Sequence, residues 1–280
     1  MRQHIVCLTF DFDAMSGFVS RGLTTPTAIS RGEFGAVGAQ RILGLLRRFG
    51  IESTWFVPGV VIDTYPELCE RIAEEGHEIG HHGWTHVPPA DLSREQEHAG
   101  LVRGNEAIRR ITGARARGYR SPAWDLSPHT VELLLAEGFV YDSSMMGHDY
   151  LPYHARQGDV VELEEPIRFG PRTALLEMPV SWSMDDHPHF EFVRYGSAIL
   201  PGLRPGSGVL ENWIDDYRYM ARELEFGIAT YTFHPYVMGR GHRMLVLERL
   251  IETLAREGAE FLTMEQAAAR FVAREPASGR

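Results

Sequence analysis

A chain of 280 residues, 44% hydrophobic and 24% charged, can bury a large core as a single α/β barrel, and this composition excludes a disordered or low-complexity protein. With 38 acidic against 28 basic residues the net charge is −10, which repels phosphate backbones and anionic lipid, so neither nucleic acid nor a membrane surface is an expected partner. No apolar run approaches the roughly 18–20 residues that a membrane span needs.

In chain order, His4 to Phe10 (HIVCLTF) reads as a β-strand that runs into Asp11 and Asp13. A cleaved secretory leader would fall within the first ~15–30 residues and delete both aspartates, so a cytoplasmic protein is expected. Cys7 in this strand and Cys69 on an apolar helix face read as two buried, reduced thiols. Ala14 to Gly35, rich in Ser, Thr and Gly, predicts a loop. Ile42, Leu45, Leu46 and Phe49 then recur at helical spacing, and Gly50 closes that helix. Ser53 to Val57 is a strand stopped by Pro58. A helix over Pro66 to Glu75 ends at Gly76, and HEIG at 77–80 is another strand.

The alternation continues with a helix over Glu95 to Ile111, a strand at Gly118 to Arg120, a helix at Val131 to Glu137 and a strand at Phe139 to Tyr141. Strands follow at Leu175 to Trp182 and Ile228 to Phe233. Leu247, Leu250, Ile251 and Leu254 line a late helix ending at Gly258. Regular alternation implies parallel strands with helical crossovers. About seven such units favour a barrel over an open sheet, with residues 1–280 as one domain. Met145 to Glu165 and Met184 to Gly208 read as irregular. Loops this long are expected as lids over the barrel mouth or as contacts in a homo-oligomer.

Asp11 and Asp13 are two apart on an extended chain and project to one face. Two adjacent carboxylates repel unless a cation or a proton separates their roles. His77, His81, His82 and His86 concentrate in HEIGHHGWTH, and the four-residue spacing of His82 and His86 puts both on one side of a turn. A zincin is excluded, because Gly83 stands where its motif needs Glu. One carboxylate with two imidazoles leaves coordination positions open, as in a catalytic metal site. The same set describes the facial triad of non-haem iron oxygenases. There the second aspartate has no role, whereas in a hydrolase it serves as general base. PGLRPGSG lacks the P-loop Lys, and no nucleophile elbow is present.

TFDFD, HGWTH, RSPAW at 120–124 and TFHP at 232–235 resemble, in order, the motifs of the polysaccharide deacetylase (NodB-homology) family. The resemblance implies a distorted (β/α) barrel of about seven strands and a hydrolase of amide-type carbon–nitrogen bonds. It implies Asp11 as base, Asp13, His82 and His86 as metal ligands, Arg120 as the group orienting the base, and His234 as proton donor to the leaving nitrogen. Trp124 would wall the pocket, and Asp185 or Asp186 would tune His234 or meet substrate. The metal implied is divalent, zinc first, with cobalt, manganese or nickel suiting the same donors.

Here Asp-Phe-Asp replaces the family's usual adjacent aspartates, and PVSWSMDD replaces its acidic-tryptophan motif. HPYVMGRGHR resembles instead an intracellular branch that includes cyclic imide hydrolases and allantoinase-like enzymes, and it would bring Arg240, His242 and Arg243 to a substrate. An N-acetylated carbohydrate and a small cyclic imide or ureide are therefore both expected substrate classes. An iron oxygenase and an inactive sugar-binding protein are the competing readings.

Overall fold

The computed structural model describes residues 3–195, 198–200 and 202–275. Among them the strands are β1 (Gln3–Asp11), β2 (Thr54–Val57), β3 (Glu78–His81), β4 (Gly118–Tyr119), β5 (Tyr141–Asp142), β6 (Tyr153–Arg156), β7 (Arg172–Glu177), β8 (Val193–Tyr195), β9 (Ala198–Leu200), β10 (Phe226–Phe233) and β11 (Glu260–Phe261). Seven of them run parallel in the order β10-β1-β2-β3-β4-β5-β7, with β6 antiparallel on the outer side of β7. β11 pairs with Ile5 and Val6 at the start of β1, and β8 and β9 form a separate ribbon. The sheet curls until the chain leaving β7 meets β10, where one parallel bridge, Asp185 to Thr232, spans the seam. This is the distorted seven-stranded barrel that the alternation and the motifs predict.

β1 is buried from Ile5 onward, as a central parallel strand must be when both faces are covered. Its period of two sorts the side chains. Val6, Leu8 and Phe10 pack outward among the helices with Trp55, Leu46 and Phe233. Ile5 and Cys7 point inward, with Phe56, Tyr141, Leu176 and Ile228, onto the helix Met264–Val272. Further along the inner face the chain turns polar, at Thr9 and Asp11. The barrel is thus plugged with hydrocarbon at the N-terminal ends of its strands and polar at their C-terminal ends. Burial pushes the Cys7 thiol up and holds Cys69 up at about 12, so both remain thiols.

Two expectations for the loops are corrected. Residues 14–35 are largely helical: Ser16–Val19 is a short helix, and Pro26–Phe49 is a long one capped by Thr25, whose hydroxyl accepts from Ala28 N–H. Gly32 and Gly35 in this stretch, with Gly38 just beyond it, form a packing stripe. A Cβ at Gly38 would fall 2.0 Å from the Pro235 carbonyl oxygen, and one at Gly32 would fall 2.4 Å from Met15 Cα. Residues 145–165 descend through β6 into the hairpin before β7, so their far end lies at the barrel face opposite the strand C-termini and not over the mouth. Residues 184–208 include a helix at Asp186–Phe190 and the strands β8 and β9. No helix among the described residues is long and apolar enough to cross a membrane.

Asp142 and Glu177 stand in register across β5 and β7, both fully buried, and Asp142 Oδ2 and Glu177 Oε2 have no donor among the described residues. Burial raises Asp142 to about 6, and burial with the Asp142 charge raises Glu177 well above the usual carboxylate range. The folded pair therefore keeps a proton that the unfolded chain releases near pH ~4. Stability from this pair is complete below that pH and falls as pH rises toward the folded-state values, by about 1.4 kcal/mol per unit. Glu177→Gln, which supplies the shared hydrogen covalently, is expected to flatten urea-derived stability between about pH 5 and 7. An unaltered slope would place the proton elsewhere.

Candidate metal centre and active site

The C-terminal ends of β1, β3 and β10 converge on one cleft of about 180 Å³. β3 ends at His81, and the chain then turns sharply through Gly83, at φ +72, and His86, at φ +59. A tight loop, not a helical turn, brings the two imidazoles together, with ring centroids 5.0 Å apart. His82 Nδ1 donates to the Arg120 carbonyl at 2.7 Å, which fixes the tautomer and leaves Nε2 as a bare lone pair. That lone pair faces Asp13 Oδ1 at 3.3 Å, while His86 Nε2 lies 3.2 Å from Asp13 Oδ2.

Asp13 Oδ1 is buried and has no hydrogen-bond partner. A lone pair opposed to an orphaned carboxylate oxygen costs free energy unless a cation lies between them. The ligand atoms of Asp13, His82 and His86 all lie within 4.8 Å of one another, and this donor set fits a divalent transition metal. Burial pushes the Asp13 carboxyl up, yet His86 and His82 outweigh it and hold it well below the usual range. Burial pushes His82 down, and Asp11 and Asp13 reverse this and raise it. The two shifts are the two sides of one attraction, the carboxylates raising the imidazole and the imidazoles lowering the carboxylate.

Asp11, one pleat repeat before Asp13, directs Oδ2 to 3.9 Å from His82 Nε2 and accepts from Arg120 Nη1 at 2.8 Å through Oδ1. Arg120 is fully buried. Its Nη1 also donates to Thr9 Oγ1 (2.8 Å), its Nε to the Ser143 carbonyl (3.1 Å) and its Nη2 to Ser143 Oγ (3.0 Å). The guanidinium carbon lies 4.3 Å from the centre of the Phe56 ring.

His234 sits where β10 ends. Its Nδ1 is 2.8 Å from Asp186 Oδ1, its backbone N–H donates to the same carboxylate, and its Nε2 lies 3.7 Å from Asp13 Oδ2. Burial lowers this imidazole, but Asp185, Asp186 and Asp13 outweigh burial and raise it well above 6.5, which holds it protonated. Burial lifts Asp185 to about 7, and its Oδ1 accepts from His187 N–H. His187 itself is neutral, pushed down to about 3 by burial and by His234.

Trp124 stacks on Trp182 with centroids 4.1 Å apart, and both line the cleft. Ala14, His86, Ala123 and Trp124 account for four of the five non-glycine residues at positive φ among the described residues. Strain of about 1–3 kcal/mol each, concentrated around one cleft, marks a functional site. A larger cavity of about 860 Å³ lies at the opposite end of the barrel among Glu52, His77, Glu78 and Arg117, and none of the groups above lines it.

Asp11, Asp13, His82, His86, Trp124 and His234 all line the cleft, with Arg120 directly beneath Asp11. Asp186 does not line it. It is fully buried behind His234, and Asp185 is the acid that faces the cleft. His242 also lies outside the lining. It is exposed at the first turn of the helix Gly241–Arg256, which carries it away from the mouth. Arg243 is buried, tying the carbonyls of Val237 and Phe190. Sequence reasoning missed Trp182, His187, Tyr236 and Arg21 in the lining, and Thr9 beneath it. Thr9 was reachable, being two residues before Asp11 on the same strand face.

The polysaccharide deacetylase family model matches residues 1–141. A peptidoglycan deacetylase of Helicobacter pylori is 34% identical, with 98% of each chain covered. A peptidoglycan deacetylase-like protein of Gibberella zeae is 29% identical over 95% of this chain and 86% of its own. Among solved structures, one from Mycobacterium smegmatis assigned as a polysaccharide deacetylase is 32% identical with a TM-score of 0.85, covering 98% of this chain and 91% of that one. An allantoinase, 20% identical, shares the fold with a TM-score of 0.78 over 98% of this chain and 92% of its own. The chain belongs to the polysaccharide deacetylase family of metal-dependent hydrolases that act on non-peptide carbon–nitrogen bonds.

Proposed function

We propose that the protein removes N-acetyl groups from amino sugars of a carbohydrate. The observation that carries this reading is the convergence, in one cleft, of a carboxylate with one orphaned oxygen set against two imidazoles, an arginine-held carboxylate and a protonated histidine. Asp13, His82 and His86 would hold the cation. Zinc suits two imidazoles and a carboxylate with an open position, and cobalt, manganese and nickel take the same donors. Bound there, the cation supplies a Lewis acid that polarises the amide carbonyl and lowers the pKa of water.

The chain's own groups do the rest. Asp11, pinned through Oδ1 by Arg120, presents Oδ2 to accept the proton of the attacking water. His234 donates from Nε2 to the departing nitrogen, and Asp186 on Nδ1 keeps that tautomer and orientation. Trp124 and Trp182 wall off solvent and offer an apolar surface to an acetyl methyl or a sugar face.

The cleft volume favours one alternative. About 180 Å³ lies below the ~300 Å³ at which ligand pockets usually begin, and it fits an acetamido group or a small ring. Ring opening of a cyclic imide or ureide is therefore the second reading. Acetate release from an N-acetylglucosamine oligomer against ring opening of succinimide separates the two, and failure of both removes the proposed substrate classes. His86→Ala is expected to reduce bound metal from about one ion per chain to near zero, with the melting profile retained. Full stoichiometry in that variant would refute the ligand assignment.

A further inference from the structure

The hairpin between β6 and β7 exposes Val160, Val161, Leu163, Ile167 and Phe169 within ten residues, and Leu163 is fully exposed. An antiparallel bridge between Val160 and Arg168 makes this segment a short arm. Asp159 pairs with Arg156 and Glu162 with Arg168, but Glu164 and Glu165 make no ion pair among the described residues. A run of exposed apolar side chains on a projecting arm marks an interaction surface.

Its complement lies on the same chain. Beside the catalytic cleft, and sharing Tyr236 with it, is a recess of about 200 Å³ walled by Arg31, Arg240, Arg243, Phe190, Phe192 and Leu203. Phe192 and Leu203 are exposed, the latter by 64%. Arg31 has one acid, Glu191. Arg240 has no anionic partner among the described residues and lies 3.5 Å over the Phe34 ring. Arg243 is buried with Nε lacking an acceptor. On a chain of net charge −10, where copies repel, this is a local excess of positive charge lined with hydrocarbon.

We propose that the arm of one copy seats in this recess of a second copy, Leu163 against Phe192 and Leu203 and Glu164 and Glu165 against Arg240 and Arg31. Reciprocal exchange about a two-fold axis buries both exposed apolar surfaces twice and closes the assembly. Because Tyr236 lines recess and cleft alike, the partner's arm braces the cleft wall from behind. The inference goes beyond the hydrolase reading and does not rest on it.

Sedimentation of the full chain is expected to give at least twice the 31.6 kDa of one copy. Leu163→Asp and Arg240→Glu should each weaken association by about tenfold or more. Combining Arg240→Glu with Glu164→Lys and Glu165→Lys should restore it. Far-UV dichroism and metal content unchanged in the single variants separate loss of docking from misfolding and from failure of the metal assignment. A wild-type mass of one chain overturns the proposal, as does loss of association in Leu163→Asp but not in Arg240→Glu, which means arm-to-arm pairing. An Arg240→Glu protein that keeps its mass but loses turnover gives the recess to the substrate and equally overturns it.

Discussion

Asp11→Asn is expected to lower turnover by about 10²–10⁴-fold while about one metal ion per chain remains bound. The amide keeps the shape of the carboxylate, and its oxygen can still accept from Arg120 Nη1. It cannot take a proton from water. Asp13, His82 and His86 are untouched, so stoichiometry measured by emission spectrometry should hold. The variant also loses the anion paired with Arg120, and breaking a buried pair costs about 3–5 kcal/mol in the severe case. Three further hydrogen bonds on Arg120, to Thr9 and Ser143, should keep the loss below that. An Asp11→Asn protein with wild-type turnover would assign the base to another group.

Arg120→Met should have the largest effect on stability. The guanidinium is fully buried and donates to Thr9, Asp11 and Ser143, which bind β4 to β1 and to the segment after β5. Methionine matches the apolar stem against Phe56 but leaves the Asp11 carboxylate buried without its cation. A loss of about 3–5 kcal/mol is expected in urea unfolding, with turnover reduced further in whatever remains folded. Arg120→Lys keeps a charge but offers it as a point on a flexible stem, so it should recover only part of either. A methionine variant within about 1 kcal/mol of wild type would mean that the network contributes little net free energy.

The site was legible in the sequence where chemistry and periodicity coincide. Asp11 and Asp13 had to share a face because an extended chain repeats every two residues, and His82 with His86 needed only a turn between them. Arg120 and His234 were reachable through the resemblance, since neither residue type declares a role by itself. Partners across the seam were not legible. Asp185 and Asp186 are adjacent, and only the turn after Met184 decides that one caps His187 while the other backs His234. His242 was placed by motif likeness alone, and the helix beginning at Gly241 carries it outward. The start of Pro26–Phe49, as far as Gly35, read as a loop because its Ser, Thr and Gly weaken helix propensity, and the close approach of Gly32 and Gly35 to Met15 and Ala14 overrides that propensity. Trp182 had no periodic signal, being brought to Trp124 by a single turn of 3₁₀ helix.

The seam between β7 and β10 divides the proposed catalytic groups into two sets. Asp11, Asp13, His82, His86 and Arg120 all hang from the continuous side of the sheet, from β1 through β4. His234 stands on β10 at the gap, and its carboxylate partner reaches it from the far bank, beside the single Asp185–Thr232 bridge. A ladder of one rung opens more readily than its neighbours, so local breathing there would release the imidazole from Asp186 without disturbing the ligand trio. Warming should then silence proton delivery to the leaving group at temperatures where the cation is still held. Amide exchange would follow the same order, fast at Asp185 and His187 and slow along β1.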